Sequence, residues 1–95
     1  MRKYEIMLIL PPEADEEVVG RVVERISQVV QERGGRVESV DRWGKRRLAY
    51  EIHRHSEGNY VLVTCLSPPD ALKEIDRVLS LADEVLRFKA VLRVA

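Results

Sequence analysis

The residues best placed to do chemistry stand in one run, Trp43-Gly44-Lys45-Arg46-Arg47-Leu48-Ala49-Tyr50-Glu51-Ile52. Lys45, Arg46 and Arg47 are consecutive cations, with Trp43 and Tyr50 beside them. Ammonium and guanidinium groups bind phosphate oxygens, and flat aromatic rings next to them offer contact to sugars and bases. That combination suits phosphate contact better than bond-making. Further cations stand at Arg2, Lys3, Arg42, Arg54, Arg87, Lys89 and Arg93, while acidic residues crowd Glu13 to Glu17. Sixteen basic and sixteen acidic residues cancel overall. Net charge therefore does not announce a nucleic-acid partner, but a phosphate responds to the local patch and not to the sum. A charge run is most often a solvated hairpin, and composition alone lifts nucleic-acid contact only modestly above that.

Catalytic readings find little support. His53 and His55 lie two apart with no cysteine or carboxylate at metal-ligand spacing, so no metal site is expected. Ser39, Ser56, Ser67 and Ser80 lack a nucleophile-elbow context. Gly34-Gly35 closes a helical pattern instead of opening one, which rules out a phosphate loop. The carboxylates of Glu13 to Glu17 are explained by a helix start. Cys65 is the single cysteine, which excludes an internal disulfide and fits a reducing compartment. It falls inside a strand pattern and reads as a small apolar filler. No cofactor and no small-molecule substrate are expected.

These residues must be held by elements that the apolar spacing outlines. Tyr4, Ile6, Leu8 and Leu10 alternate with Lys3, Glu5, Met7 and Ile9 as a strand, ended by Pro11-Pro12. Asp15 is placed as a helix N-cap, and Val19, Val22, Val23, Ile26, Val29 and Val30 form an apolar stripe that Gly34-Gly35 terminates. A second strand starts at Arg36, with a bulge or bend signalled by Val37 and Val40. It turns at Trp43-Gly44 and runs on to about Ile52, with Leu48, Tyr50 and Ile52 on one face. His53 to Gly58 reads as a loop or hairpin connection. Tyr60 to Leu66 alternates again as a third strand. Ser67-Pro68-Pro69-Asp70 resembles a capping box with Ser67 as N-cap, ahead of a helix whose stripe is Leu72, Ile75, Val78 and Leu79. Val85 to Val94 is the last strand.

The order βαββαβ, with one apolar stripe per helix, predicts a single α+β domain over residues 1–95. Its expected form is ferredoxin-like, a four-stranded antiparallel sheet with two helices packed on one face and the first and fourth strands in the centre. Apolar residues make up 45% of the chain, enough to fold. Tyr4, Ile6, Leu8, Tyr60, Leu62, Phe88 and Ala90 are expected to face the helices. The open face would then carry Glu5, Met7, Ile9, Val61, Val63, Cys65 and Val91. An aliphatic face of that kind disfavours base stacking across the sheet. It reads equally as ordinary half-apolar surface or as a protein docking site. Met1 is followed at once by Arg2, Lys3 and a strand, which predicts no signal peptide, and no apolar stretch is long enough to span a bilayer. A soluble, cytoplasmic chain is expected.

Met1-Arg2-Lys3-Tyr4-Glu5, the strand closed at Pro12 and above all Trp43-Gly44-Lys45-Arg46-Arg47-Leu48-Ala49-Tyr50 resemble the bacterial small-subunit ribosomal protein six family over nearly the whole chain. The tract from Gly44 to Ile52 is the most specific part. The resemblance implies a ferredoxin-like structural protein of the small subunit, bound to the central domain of the small-subunit ribosomal RNA. It also implies a basic partner, small-subunit ribosomal protein eighteen. Carried over position by position, Arg2, Arg46, Arg47, Tyr50 and Arg87 match basic or aromatic places in the family pattern. Glu51 departs from it, standing where many members have proline. The chain stops at Ala95, short of the tail by which some members reach the partner, so docking is expected to rest on the folded surface.

The expectation is a non-catalytic RNA-binding protein of the ribosome. RNA contacts are assigned to Arg2, Lys3, Lys45, Arg46, Arg47, Tyr50 and Arg87, and partner-protein contacts to Met7, Ile9, Trp43, Val61, Val63 and Val91. Two rivals share the topology. One is a regulatory or oligomerisation module that pairs through its sheet without RNA. The other is an acylphosphatase-type enzyme, which needs an anion cradle that Leu10-Pro11-Pro12-Glu13 does not offer.

Overall fold

Alternate residues of the first strand, Tyr4, Ile6, Leu8 and Leu10, are buried, and the remaining elements are assembled around that face. The computed structural model describes residues 1–93. Its order is β1 (Arg2–Leu10), α1 (Glu16–Gln31), β2 (Arg36–Ile52), β3 (His55–Ser67), α2 (Ala71–Leu81) and β4 (Arg87–Leu92). Val19, Val22, Ile26, Val29 and Val30 of α1 and Ala71, Ile75 and Leu79 of α2 bury against the same side of the sheet, leaving its other side open. This is the ferredoxin-like α+β arrangement that the element order predicted.

The strand order is β2-β3-β1-β4, so β1 and β3 are central and β4 is an edge. This corrects the expectation that the first and fourth strands fill the centre. The orientation of β3 is also the reverse of the one expected. Tyr4 pairs with Cys65, Ile6 with Val63 and Leu8 with Val61. Directly paired residues share a face, so Val61, Val63 and Cys65 point at the helices and are fully buried. Tyr60, Leu62, Thr64 and Leu66 are half-buried on the open side. Burial pushes the Cys65 thiol above its ordinary pKa, and the nearby Glu38 charge adds to the shift.

Local chemistry explains the element ends. Asp15 Oδ1 accepts from the Val18 amide at 3.0 Å, the N-cap read from the sequence. At the other end of α1, Gly34 adopts φ +81° and donates to Gln31 O, and Gly35 donates to Val30 O at 2.7 Å, a Schellman motif. Ser67 is not the N-cap of α2. It ends β3, its hydroxyl donates to Pro68 O, and Asp70 occupies the capping position without a side-chain bond. The proline pair turns the chain instead, with Pro68 O and Pro69 O accepting from Ala71 and Leu72. Strand β4 begins at Arg87 instead of Val85, and Val94 lies outside the described residues.

The long β2–β3 hairpin departs most from a plain ladder. Register shifts fall between Val37 and Ser39, between Arg42 and Gly44, and between Arg47 and Ile52. The first is the bulge that the Val37/Val40 spacing signalled. The second replaces the turn expected at Trp43-Gly44. The strand continues through it with Gly44 at φ +79°, and Trp43 is the residue left over. The connection expected over His53 to Gly58 narrows to two residues, His53 (φ 48°) and Arg54 (φ 68°), between the paired Ile52 and His55. Two positive φ angles match the twist of a tight hairpin and favour Asn-Gly over His-Arg. Arg54→Gly is therefore expected to raise stability by about 0.5–1 kcal/mol, read as a higher denaturation midpoint. A lower midpoint would mean that the Arg54 side chain contributes more than its backbone strain costs.

Candidate nucleic-acid interface

Strand β1 ends at Leu10, which pairs with Asn59, so the hairpin runs beyond the end of β1. Asn59 Nδ2 ties this junction to Ala14 O at 3.0 Å. The distal hairpin leans over the open face: a Cβ on Gly58 would meet Ile9 Cγ2 at 2.5 Å and Leu48 Cδ2 at 3.3 Å. Leu48 and Ile52 are buried there, whereas Tyr50, expected on their face, is 60% exposed. Tyr50 reaches across to β4 instead. Its hydroxyl accepts from Arg87 Nη1 at 2.8 Å, and the guanidinium sits 5.5 Å from the ring centroid. Arg87 stands opposite Ile9, so the hairpin spans the end of the sheet.

The Trp43 bulge makes a second pair of the same type. Arg46 lies 5.4 Å from the Trp43 ring centroid, and the ring stays 43% exposed. Pairing with Gly58 puts Arg46 on the open face, while Lys45 and Arg47 alternate to the other side of the hairpin. Trp43 borders a shallow groove with Glu5, Met7, Leu62, Lys89 and Val91, which continues along Met7 and Lys89 to Ile9, Phe88 and Arg87.

Ion pairing sorts the cations. On the helix side, Arg25 meets Glu84 at 3.2 Å, Arg21 lies 4.0 Å from the same carboxylate, and Arg77 binds Glu74. The Glu84 carboxyl is held below its usual range chiefly by a backbone hydrogen bond and then by these two arginines, against partial desolvation. Arg42 pairs with Glu16, Arg93 with Glu5 at 2.9 Å and Lys3 with Glu38 at 3.3 Å. Eight cations have no carboxylate partner among the described residues: Lys45, Arg46, Arg47, Arg54, Arg87 and Lys89, together with Arg2 on β1 and Lys73 on α2, which stand apart from them.

The structure therefore brings together most, but not all, of the residues assigned from sequence. Lys45, Arg46, Arg47, Tyr50 and Arg87 gather at the hairpin end. Arg2 pairs with Ser67 and Lys3 with Leu66, at the far end of β1, and Lys3 is already engaged. Of the docking residues, Met7, Ile9, Trp43 and Val91 line the open-face groove. Val61 and Val63 are core residues and cannot dock a partner. Leu62 takes their place on the open side, and Lys89, Arg54 and Tyr60 join the surface. Correct orientation of β3 would have identified Tyr60 and Leu62. Among the described residues no group of three His, Cys, Asp or Glu side chains could hold a metal ion, and no helix is long and apolar enough to cross a membrane.

Fold and surface together define a ferredoxin-like protein in which most of the unneutralised cations, with Trp43 and Tyr50 beside them, cluster at the β2–β3 hairpin end of the sheet. Residues 3–91 match the family model described as ribosomal protein S6. Small ribosomal subunit protein bS6 of Mycobacterium bovis (strain BCG / Pasteur 1173P2) is 53% identical over 89 residues, covering 94% of this chain and 93% of that protein. The protein of the same name from Beutenbergia cavernae is 48% identical over 91 residues, covering 96% and 95%. The crystal structure of 30S ribosomal protein S6 from Thermotoga maritima superposes with a TM-score of 0.83 at 32% identity, covering 97% of this chain and 87% of that one. The chain belongs to the ribosomal protein S6 family, a family of small-ribosomal-subunit proteins, and its place is with the cytoplasmic ribosome.

Proposed function

We propose that the chain is a non-catalytic assembly protein that binds the central domain of small-subunit ribosomal RNA together with small-subunit ribosomal protein eighteen. The observation that carries this reading is the contrast in ion pairing. Helix-side arginines are neutralised by Glu74 and Glu84, whereas Lys45, Arg46, Arg47, Arg54, Arg87 and Lys89 at the hairpin end lack carboxylates among the described residues. Cations left without an acid beside them are available to phosphate, and phosphate contacts give affinity and orientation with little base readout. The groove over Met7, Ile9, Leu62 and Val91 offers the basic partner an apolar seat, with the Glu5 carboxylate on its border. Binding as a pair would add positive charge to a chain with none in excess.

The test is a titration of this protein into central-domain RNA, with and without the partner protein, at two salt concentrations. Tight binding that needs the partner and weakens steeply with salt is the expected result. Absence of binding in both arms would replace this reading with that of an RNA-independent oligomerisation module.

A further inference from the structure

We infer that Asn59 is a positioning residue for RNA binding: it touches no RNA itself and, with Gly58 beside it, aims the cations Lys45, Arg46 and Arg47 at phosphate. The inference deepens the RNA reading above and rests on it.

The need for such a residue follows from the strand pairing. Strand β1 runs beside β3 only as far as Leu10, opposite Asn59. Beyond that pair the hairpin is a ribbon of two strands, which twists more strongly than a wider sheet and is marginal on its own. Register shifts in β2 bracket the cations, one between Arg42 and Gly44 and one between Arg47 and Ile52. The ladder therefore does not fix the direction in which Lys45, Arg46 and Arg47 point.

Contacts at the neck of the hairpin fix it instead. Asn59 stands directly opposite Lys45, is half-buried, and donates from Nδ2 to Ala14 O at 3.0 Å. That acceptor belongs to a loop that is itself held, since the Ala14 amide donates to Pro11 O at 2.9 Å and Asp15 caps α1. The bond thus joins the hairpin to the β1–α1 loop across 45 residues of sequence. On the opposite face Gly58 is buried over Ile9, where a Cβ would stand 2.5 Å from Ile9 Cγ2. Lack of a side chain there lets the ribbon lie down on the end of β1. Arg46 stands opposite Gly58, and Arg47 opposite Glu57, roughly 7 Å past the tether. A tilt at the neck is carried to both. Holding the hairpin in place before RNA arrives removes that ordering cost from binding.

The experiment compares Asn59→Leu, Asn59→His and Gly58→Ala with the wild type in the full chain at about pH 8, where an added histidine is uncharged. None of these changes alters the charge, so screening cannot account for a difference. Affinity for central-domain RNA is measured with the partner protein present, affinity for the partner alone by calorimetry, and amide exchange along the hairpin in the free protein. Asn59→Leu is close in size but has no donor. It should weaken RNA binding about fivefold, the effect of one lost neutral hydrogen bond, and speed exchange of the distal hairpin amides by a similar factor. Asn59→His places a ring N–H near the lost amide nitrogen and should recover most of both. Gly58→Ala should weaken RNA binding at least as much as Asn59→Leu. If either of these two loses the wild-type circular dichroism, the other carries the test. Affinity for the partner alone should stay unchanged. Wild-type RNA affinity in the Asn59→Leu and Gly58→Ala variants would overturn the inference. So would weaker RNA binding with unchanged hairpin exchange, which would make Asn59 a direct contact. An equal loss of affinity for the partner alone would also overturn it and assign the tether to docking. In each of those cases the wild type still binds central-domain RNA, and the reading above stands. Absence of wild-type binding would remove both.

Discussion

Gly35→Ala is expected to destabilise the protein by about 3 kcal/mol, far more than the same change at its neighbour Gly34. A Cβ at Gly35 would stand 2.2 Å from the Leu66 carbonyl oxygen and 3.1 Å from that of Val30. Both are backbone atoms and neither can rotate away. Leu66 O is fixed in β3 beside Arg36, and Val30 O accepts the Gly35 amide at 2.7 Å to close the helix. Relief requires the start of β2 to separate from β3 or the helix end to open. At Gly34 the cost has a different origin. Its φ of +81° penalises a side chain by about 1 kcal/mol, but the added methyl meets only Met1 Cε, at 3.3 Å, which can move. For a domain of this size urea unfolding has a slope near 1 kcal/mol per molar. The Gly35 variant should therefore lose about 3 M in midpoint against about 1 M for Gly34. Equal losses at the two positions would show that backbone conformation governs the junction and close packing does not.

Those two glycines also show what was legible in the sequence. A pair of glycines after a valine stripe ends a helix in any fold, so the boundary could be read locally, as could the Asp15 cap and the bulge near Val37. Orientation could not be read that way for β3. Tyr60, Leu62, Thr64 and Leu66 alternate with Val61, Val63 and Cys65, and both sets can pack in a core. Period-two alternation decides a face only when one set is polar. A strand apolar on both sides is itself the mark of a central position, and the cations at Arg87, Lys89 and Arg93 are the mark of an edge. Those two signals together favour β1 and β3 in the middle.

The candidate site was legible as composition and not as geometry. Three adjacent cations beside two aromatics stand out in the chain. Their individual fates depend on which acid the fold brings near. Lys3 and Glu38 are distant in sequence and meet only because β1 and β2 both lie beside β3. Tyr50 and Arg87 are 37 residues apart and meet because the hairpin leans across Ile9. The Trp43-Gly44 pair looked like a turn because a glycine with positive φ serves turns and bulges alike. That ambiguity hid the placement of Trp43 over the groove.

The second large effect expected is on RNA affinity. Arg46→Ala, Arg47→Ala and Arg87→Ala combined should weaken binding of central-domain RNA, measured with the partner protein present, by about a hundredfold, some 1 kcal/mol for each arginine. Each guanidinium that meets a phosphate releases about one counterion on binding. Removing three should therefore lower the slope of log affinity against log salt by about 3. Loss of charge alone would also weaken association, so the control carries the same loss elsewhere. Arg21→Ala, Arg25→Ala and Arg77→Ala together remove three arginines from the helix side, where Glu84 and Glu74 already hold them. That variant should bind RNA with nearly the wild-type slope. Equal slopes for the two triple variants would mean that the RNA responds only to net charge, and the hairpin end would lose its claim as the phosphate surface. A reduced slope confined to the Arg46, Arg47 and Arg87 variant would tie the contact to the hairpin end, where these three arginines stand without an acid among the described residues.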